Sequence, residues 1–126
     1  LDIKRVSAIY CLVVGISMIG MWTFFIVSGS VPELEDRPAE ITLHLVAEFS
    51  TALCLLMAGS GLLRRKDWGT PVYLLASGLL TYTLIVSPGY YITHEEPALV
   101  VMFAVFLALD LIILAMFLRD MLHISD

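Results

Sequence analysis

Four long apolar runs, parted by short polar stretches, set the pattern of this chain. They cover residues 6–28, 41–63, 70–87 and 97–118. About 20 apolar residues at 1.5 Å rise cross a hydrocarbon core of roughly 30 Å, so each run predicts a membrane-spanning helix. The polar stretches carry turn signals. Gly29–Glu40 holds Pro32 and Pro38, the second run stops at Arg64-Arg65-Lys66, and Ser87-Pro88-Gly89 is expected to close the third. Pro38, Pro71 and Pro97 stand where helices begin, a position at which the missing N–H costs nothing. Lys4 and Arg5 before an apolar run also describe a signal peptide. This run is well beyond a core of roughly 7–15 residues, so a retained helix is expected. So short a connection as 64–69 makes its two helices antiparallel neighbours. Extended along the chain, that gives one all-α membrane domain over residues 1–126, a four-transmembrane-helix bundle running up-down-up-down.

Composition agrees. The 126 residues are 60% hydrophobic and 15% charged, with a mean hydropathy of +0.93. Soluble domains are about half apolar and about a quarter charged. Nucleic acid is not an expected partner, since the cations are few and the net charge is −5, and the composition points to the lipid bilayer. The placement of charge says more than its sum. Lys4, Arg5, Arg64, Arg65, Lys66 and Arg119 fall on one side of the four-span arrangement, and Arg37 alone on the other. The positive-inside rule then puts both termini and the 64–69 connector in the cytoplasm, with the acidic loops outside. Trp22, Tyr90 and Tyr91 suit the aromatic belt at a membrane boundary. Cys11 and Cys54 lie within spans, lack a CxxC spacing, and read as reduced, packed thiols.

The second run carries the candidate chemistry. His44 and Glu48 are four residues apart, hence on one helix face, together with Ala47, Thr51, Cys54, Ala58 and Gly61. Small residues of this kind pack against other helices, so the pair is expected to point into the bundle. Ionisable groups inside a span are costly and mark sites. With the boundary near Ile41, His44 lies about 5 Å deep and Glu48 about 10 Å deep. His94, Glu95 and Glu96 in the last loop come to the same surface. Imidazole and carboxylate are zinc ligands, so His44, Glu48, His94 and Glu95 form a candidate set for a divalent metal such as zinc. Asp110 is a second deep charge, about 20 Å along its helix from Pro97 and without a cation at that depth. It is expected to be protonated and hydrogen-bonded to Ser77, Thr81, Tyr82 or Ser17, with Tyr82 beside it beneath the His44–Glu48 site.

Three functions remain open on these residues. One is a site for a small ligand, proton or metal at His44, Glu48, Asp110 and Tyr82. Another is an accessory or scaffold subunit whose polar residues only tie helices together, His44 donating a hydrogen bond to Glu48 or to a hydroxyl such as Thr83. The third is a membrane enzyme acting on a lipid-soluble substrate, with His44 and Glu48 as acid and base. Ala104, Ala108 and Ala115, opposite Asp110, offer a strip for a second copy or a partner subunit. There is no glycine-rich phosphate loop, nucleophile elbow or haem-attachment motif.

Overall fold

The structure, a computed structural model, describes residues 2–93 and 95–125, the side chains of Tyr90, Thr93, Ile124 and Ser125 aside. Its elements are α1 (Ile3–Val27), a short α2 (Glu33–Asp36), α3 (Pro38–Leu63), α4 (Gly69–Thr93) and α5 (Pro97–Ser125). Four of them contain stretches long and apolar enough to cross a bilayer, of 25, 26, 21 and 27 residues. Even the shortest reaches about 31 Å, against a core of roughly 30 Å. This is the pattern of a multi-pass membrane protein.

The long helices close a ring: α1 packs on α3, α3 on α4, α4 on α5, and α5 returns to α1 along the slimmest seam. Neighbours run in opposite directions, as their paired contacts show. Glu48 meets Thr83 while Gly61 meets Gly69, and Tyr91 stacks on Phe103 while Tyr73 packs on Phe117. The α1–α3 seam is the closest approach. A methyl group on Gly59 would stand 2.6 Å from Leu12 Cγ and 2.9 Å from the Ala8 carbonyl oxygen, so only glycine fits there. Tyr10 ties the α1–α5 seam by donating its hydroxyl to the Phe106 carbonyl at 2.8 Å. Leu55, Ala58, Tyr73, Leu80 and Phe117 form the centre of the core. Outward faces carry Val13, Ile16, Leu43, Leu53, Leu75 and Val101, all largely exposed. Large apolar side chains in contact with the surroundings on every long helix suit lipid rather than water.

Three long helices end in the same closure. Ser30 N–H reaches back to the Phe25 carbonyl, Lys66 to Gly61, and Glu96 to Tyr91, each at 2.9 Å. The residue before each donor is left-handed: Gly29 at φ 72°, Arg65 at 56° and Glu95 at 55°. Glycine adopts that conformation freely, whereas Arg65 and Glu95 pay for it in strain. At the end where α3 closes on Arg65, opposite to that of Gly29 and Glu95, Asp2 caps α1 and pairs with Arg65 across the gap to α3. The guanidinium holds the Asp2 carboxyl below its ordinary range, so the pair is complete at neutral pH and is lost as the solution becomes acid.

Several sequence expectations need correction. The third apolar stretch, Gly69–Gly89, ends at Ser87-Pro88-Gly89 as expected, but the helix does not: α4 carries Pro88 inside it and continues to Thr93. Membrane helices tolerate a proline because neighbouring groups satisfy the carbonyl it leaves free. The extension keeps Tyr91 on the inner face, seven residues on from Leu84, so Tyr91 is buried rather than set in a boundary belt. Trp22 is likewise buried, packed with Val31 and Ile41. Ala47 is exposed, and the buried seam of α3 runs instead through Glu48, Thr51, Ala52, Leu55, Ala58 and Leu62.

Candidate functional site

At the acidic end of the bundle, which bears the carboxylates of α2 and the turn at Glu95–Glu96, the helices part. A cavity of about 590 Å³ opens there. Its apolar walls are Met21 and Trp22 from α1, Ile41 from α3, Val86 from α4 and Phe103 from α5. All four long helices therefore contribute. Glu33, Arg37 and Glu40 stand among the lining residues as charges, Arg37 and Glu40 being a loose, exposed pair at 3.9 Å. Deeper in, the polar residues are His44, Glu48, Ser87 and Tyr91.

Glu48 is the most demanding of these. Its residue is 6% exposed, so the carboxyl is reached only through the cavity. Thr83 of α4 donates a hydrogen bond to Oε1, and Thr83 in turn lies 3.3 Å from the Ser87 hydroxyl. His44 Nε2 lies 3.8 Å from the same oxygen, too far for a hydrogen bond but within reach of an ion pair should the imidazole be protonated. Oε2 receives no hydrogen bond from the described residues. His44 is part-exposed, and its ring meets Trp22 edge-on, centroids 5.6 Å apart. Trp22 Nε1 is buried and has no hydrogen-bond partner among the described residues.

A second polar cluster lies further along the bundle. Asp110, 2% exposed, takes a hydrogen bond from Ser77 at 3.4 Å and makes a second contact with the Thr81 hydroxyl. Ser77 and Thr81 are four residues apart, one turn of α4, and so face Asp110 together. Tyr82, expected beside Asp110, is 71% exposed: the next residue on a helix turns by about 100°, which carries its ring to the outer surface. Ser17 is exposed as well.

The structure thus brings His44 and Glu48 together at the head of a cavity and places Asp110 with α4 hydroxyls elsewhere. Glu95 is exposed and does not line the cavity, nor does Glu96. His94 lies outside the described residues, and with it the metal set that depended on it. Among the described residues, no group of three His, Cys, Asp or Glu side chains is placed to hold a metal ion. Sequence reading named Thr83 as a hydroxyl for His44, whereas its partner is Glu48, and missed Trp22, Ser87, Tyr91 and Phe103 as lining. For α4 the signal was there: Thr83, Ser87 and Tyr91 follow at spacings of four on one helical face, although the expected end at Pro88 left Tyr91 outside the helix.

Residues 1–125 match the family described as a domain of unknown function, DUF8058, and the chain belongs to that family. No curated protein and no solved structure matches it.

Proposed function

We propose that this member of the DUF8058 family is a small integral membrane protein that binds a small organic molecule at its acidic end, with Glu48 and His44 as the recognising groups. One observation carries the reading: a cavity of about 590 Å³, walled by all four long helices, ends on a buried carboxylate. Cavities of about 300–1,000 Å³, mostly apolar with a few placed polar groups, are the usual form of a small-molecule site. A zinc ion takes four ligands at about 2 Å and needs far less room. The geometry favours the organic ligand over the metal for that reason.

Charge placement supports a sidedness for the site. Lys4, Arg5, Arg64, Arg65, Lys66 and Arg119 gather at the opposite end of the bundle. By the positive-inside rule that end and both termini are cytoplasmic, and the cavity opens outward. A ligand would arrive from outside the cell or from the outer leaflet.

Native mass spectrometry of the protein released from its own membranes tests the reading. An organic adduct is expected on the parent protein and should be lost from Ser87→Phe, which fills the cavity. A parent protein with no organic adduct that instead retains zinc and melts higher with it would return the site to the metal reading.

A further inference from the structure

Charged side chains in the lining of this cavity bear on the sign of a ligand it would take. We infer that the site takes an amphipathic organic cation, an ammonium group on an apolar body, with the ammonium at Glu48. The inference rests on the small-molecule reading above and narrows it.

Glu48 provides the anchor. It is more than nine-tenths buried, it lines the cavity, and its Oε2 accepts nothing from the described residues. A carboxyl oxygen that lines the cavity without a donor from the described residues can take one from a ligand N–H. An ammonium donates it with charge assistance, in a place where little water screens the attraction. Other lining residues point the same way, while the unpartnered Trp22 Nε1–H would meet an acceptor elsewhere on the ligand. Glu33 and Glu40 bring two further carboxylates against the single guanidinium of Arg37, which is itself within 3.9 Å of Glu40. Trp22, Tyr91 and Phe103 present aromatic surface, which attracts cations through the negative face of the ring. Met21, Ile41 and Val86 accommodate an apolar body. An anion of the same shape would meet a buried carboxylate and no buried cation among the described residues.

The test uses the full chain in dodecyl maltoside, an uncharged detergent. Trp68→Phe leaves Trp22 as the sole tryptophan, so its emission reports on the cavity. The probes are 4-phenylbutylammonium, 4-phenylbutanol and 4-phenylbutanoate, matched in shape. The ammonium should bind about 10-fold more tightly than the alcohol, and the carboxylate should not bind. Glu48→Gln keeps the acceptor for Thr83 and should abolish that preference while leaving the alcohol's affinity intact, which also shows the fold retained. Glu40→Gln, at an exposed lining position, should weaken the ammonium by about 2-fold, an effect that salt removes. Phosphatidylethanolamine then separates two sources of the ammonium: competition identifies a lipid headgroup, and its lack a free amine. Equal binding of ammonium and alcohol, or a preference that survives Glu48→Gln, overturns the cation and leaves the small-molecule site standing. If no probe alters Trp22 emission, both fall.

Discussion

Thr81 has one hydroxyl hydrogen and two acceptors in reach, the Ser77 carbonyl at 2.7 Å and the carboxyl of Asp110. One hydrogen serves one acceptor. If it goes to the Ser77 carbonyl, the Thr81 oxygen is free to accept, and the contact to Asp110 closes only when Asp110 brings a hydrogen of its own. Asp110→Asn preserves that donor, so the variant should melt within a few degrees of the parent. Infrared spectra of the parent should show a protonated carboxyl stretch that is lost in Asp110→Asn, and an ionised carboxylate band in its place would contradict the count. Glu48 is held differently, by a donated hydrogen from Thr83. Thr83→Val keeps the shape and removes the donor, which should cost about 1–3 kcal/mol in reversible unfolding. These two acids were legible in the sequence because an ionisable residue in an apolar run stands out at once. Their partners were legible only to within one residue. Thr81 and Tyr82 differ by about 100° of helix rotation, and composition cannot say which of two adjacent hydroxyls turns inward.

At the scale of the helix, what decides the bundle is how closely the axes approach and how the ends close. Gly59→Ala places a methyl group 2.6 Å from Leu12 Cγ and 2.9 Å from a backbone oxygen of α1, so the α1–α3 seam must open. A loss of about 1–3 kcal/mol is expected, measured by unfolding in mixed detergent. Gly20→Ala is its control, because nothing lies within 4 Å of that position. The helix ends offer the reverse experiment. Glu95 is exposed at φ 55°, and Glu95→Gly should stabilise the α4 terminus by about 1 kcal/mol, seen as a higher melting temperature. A metal site that used Glu95 would instead lose affinity in the same variant. Existence of the four long helices was plain from the apolar runs, which depend only on length and composition. Their ends were less so. Gly29 announces its closure, whereas Arg65 and Glu95 occupy the same backbone position with no glycine to mark it, and Pro88 marks an end that is not there.

For the molecule as a whole, charge separates the two ends and the cavity lies at the acidic one. On a background with Cys11→Ala and Cys54→Ala, a cysteine at Ser30 should react with an impermeant thiol reagent added to intact cells, and one at Gly69 should not until the membrane is opened. Reaction of position 69 from outside would invert the orientation and move the cavity to the cytoplasmic face. The arrangement of four antiparallel neighbours followed from short connections. The cavity did not, because a void is the difference between side chains on four helices and appears in no single stretch of sequence. The central claim, an outward-opening site that reaches the level of Glu48, is tested most directly at Ser87. That residue is buried yet lines the cavity, whereas Ser77 is buried against Asp110 and does not. On the cysteine-free background in intact cells, Ser87→Cys should be modified by a small impermeant methanethiosulfonate, and Ser77→Cys should remain unmodified under the same exposure. Protection of position 87 together with position 77, or its modification only after the membrane is opened, would contradict the account.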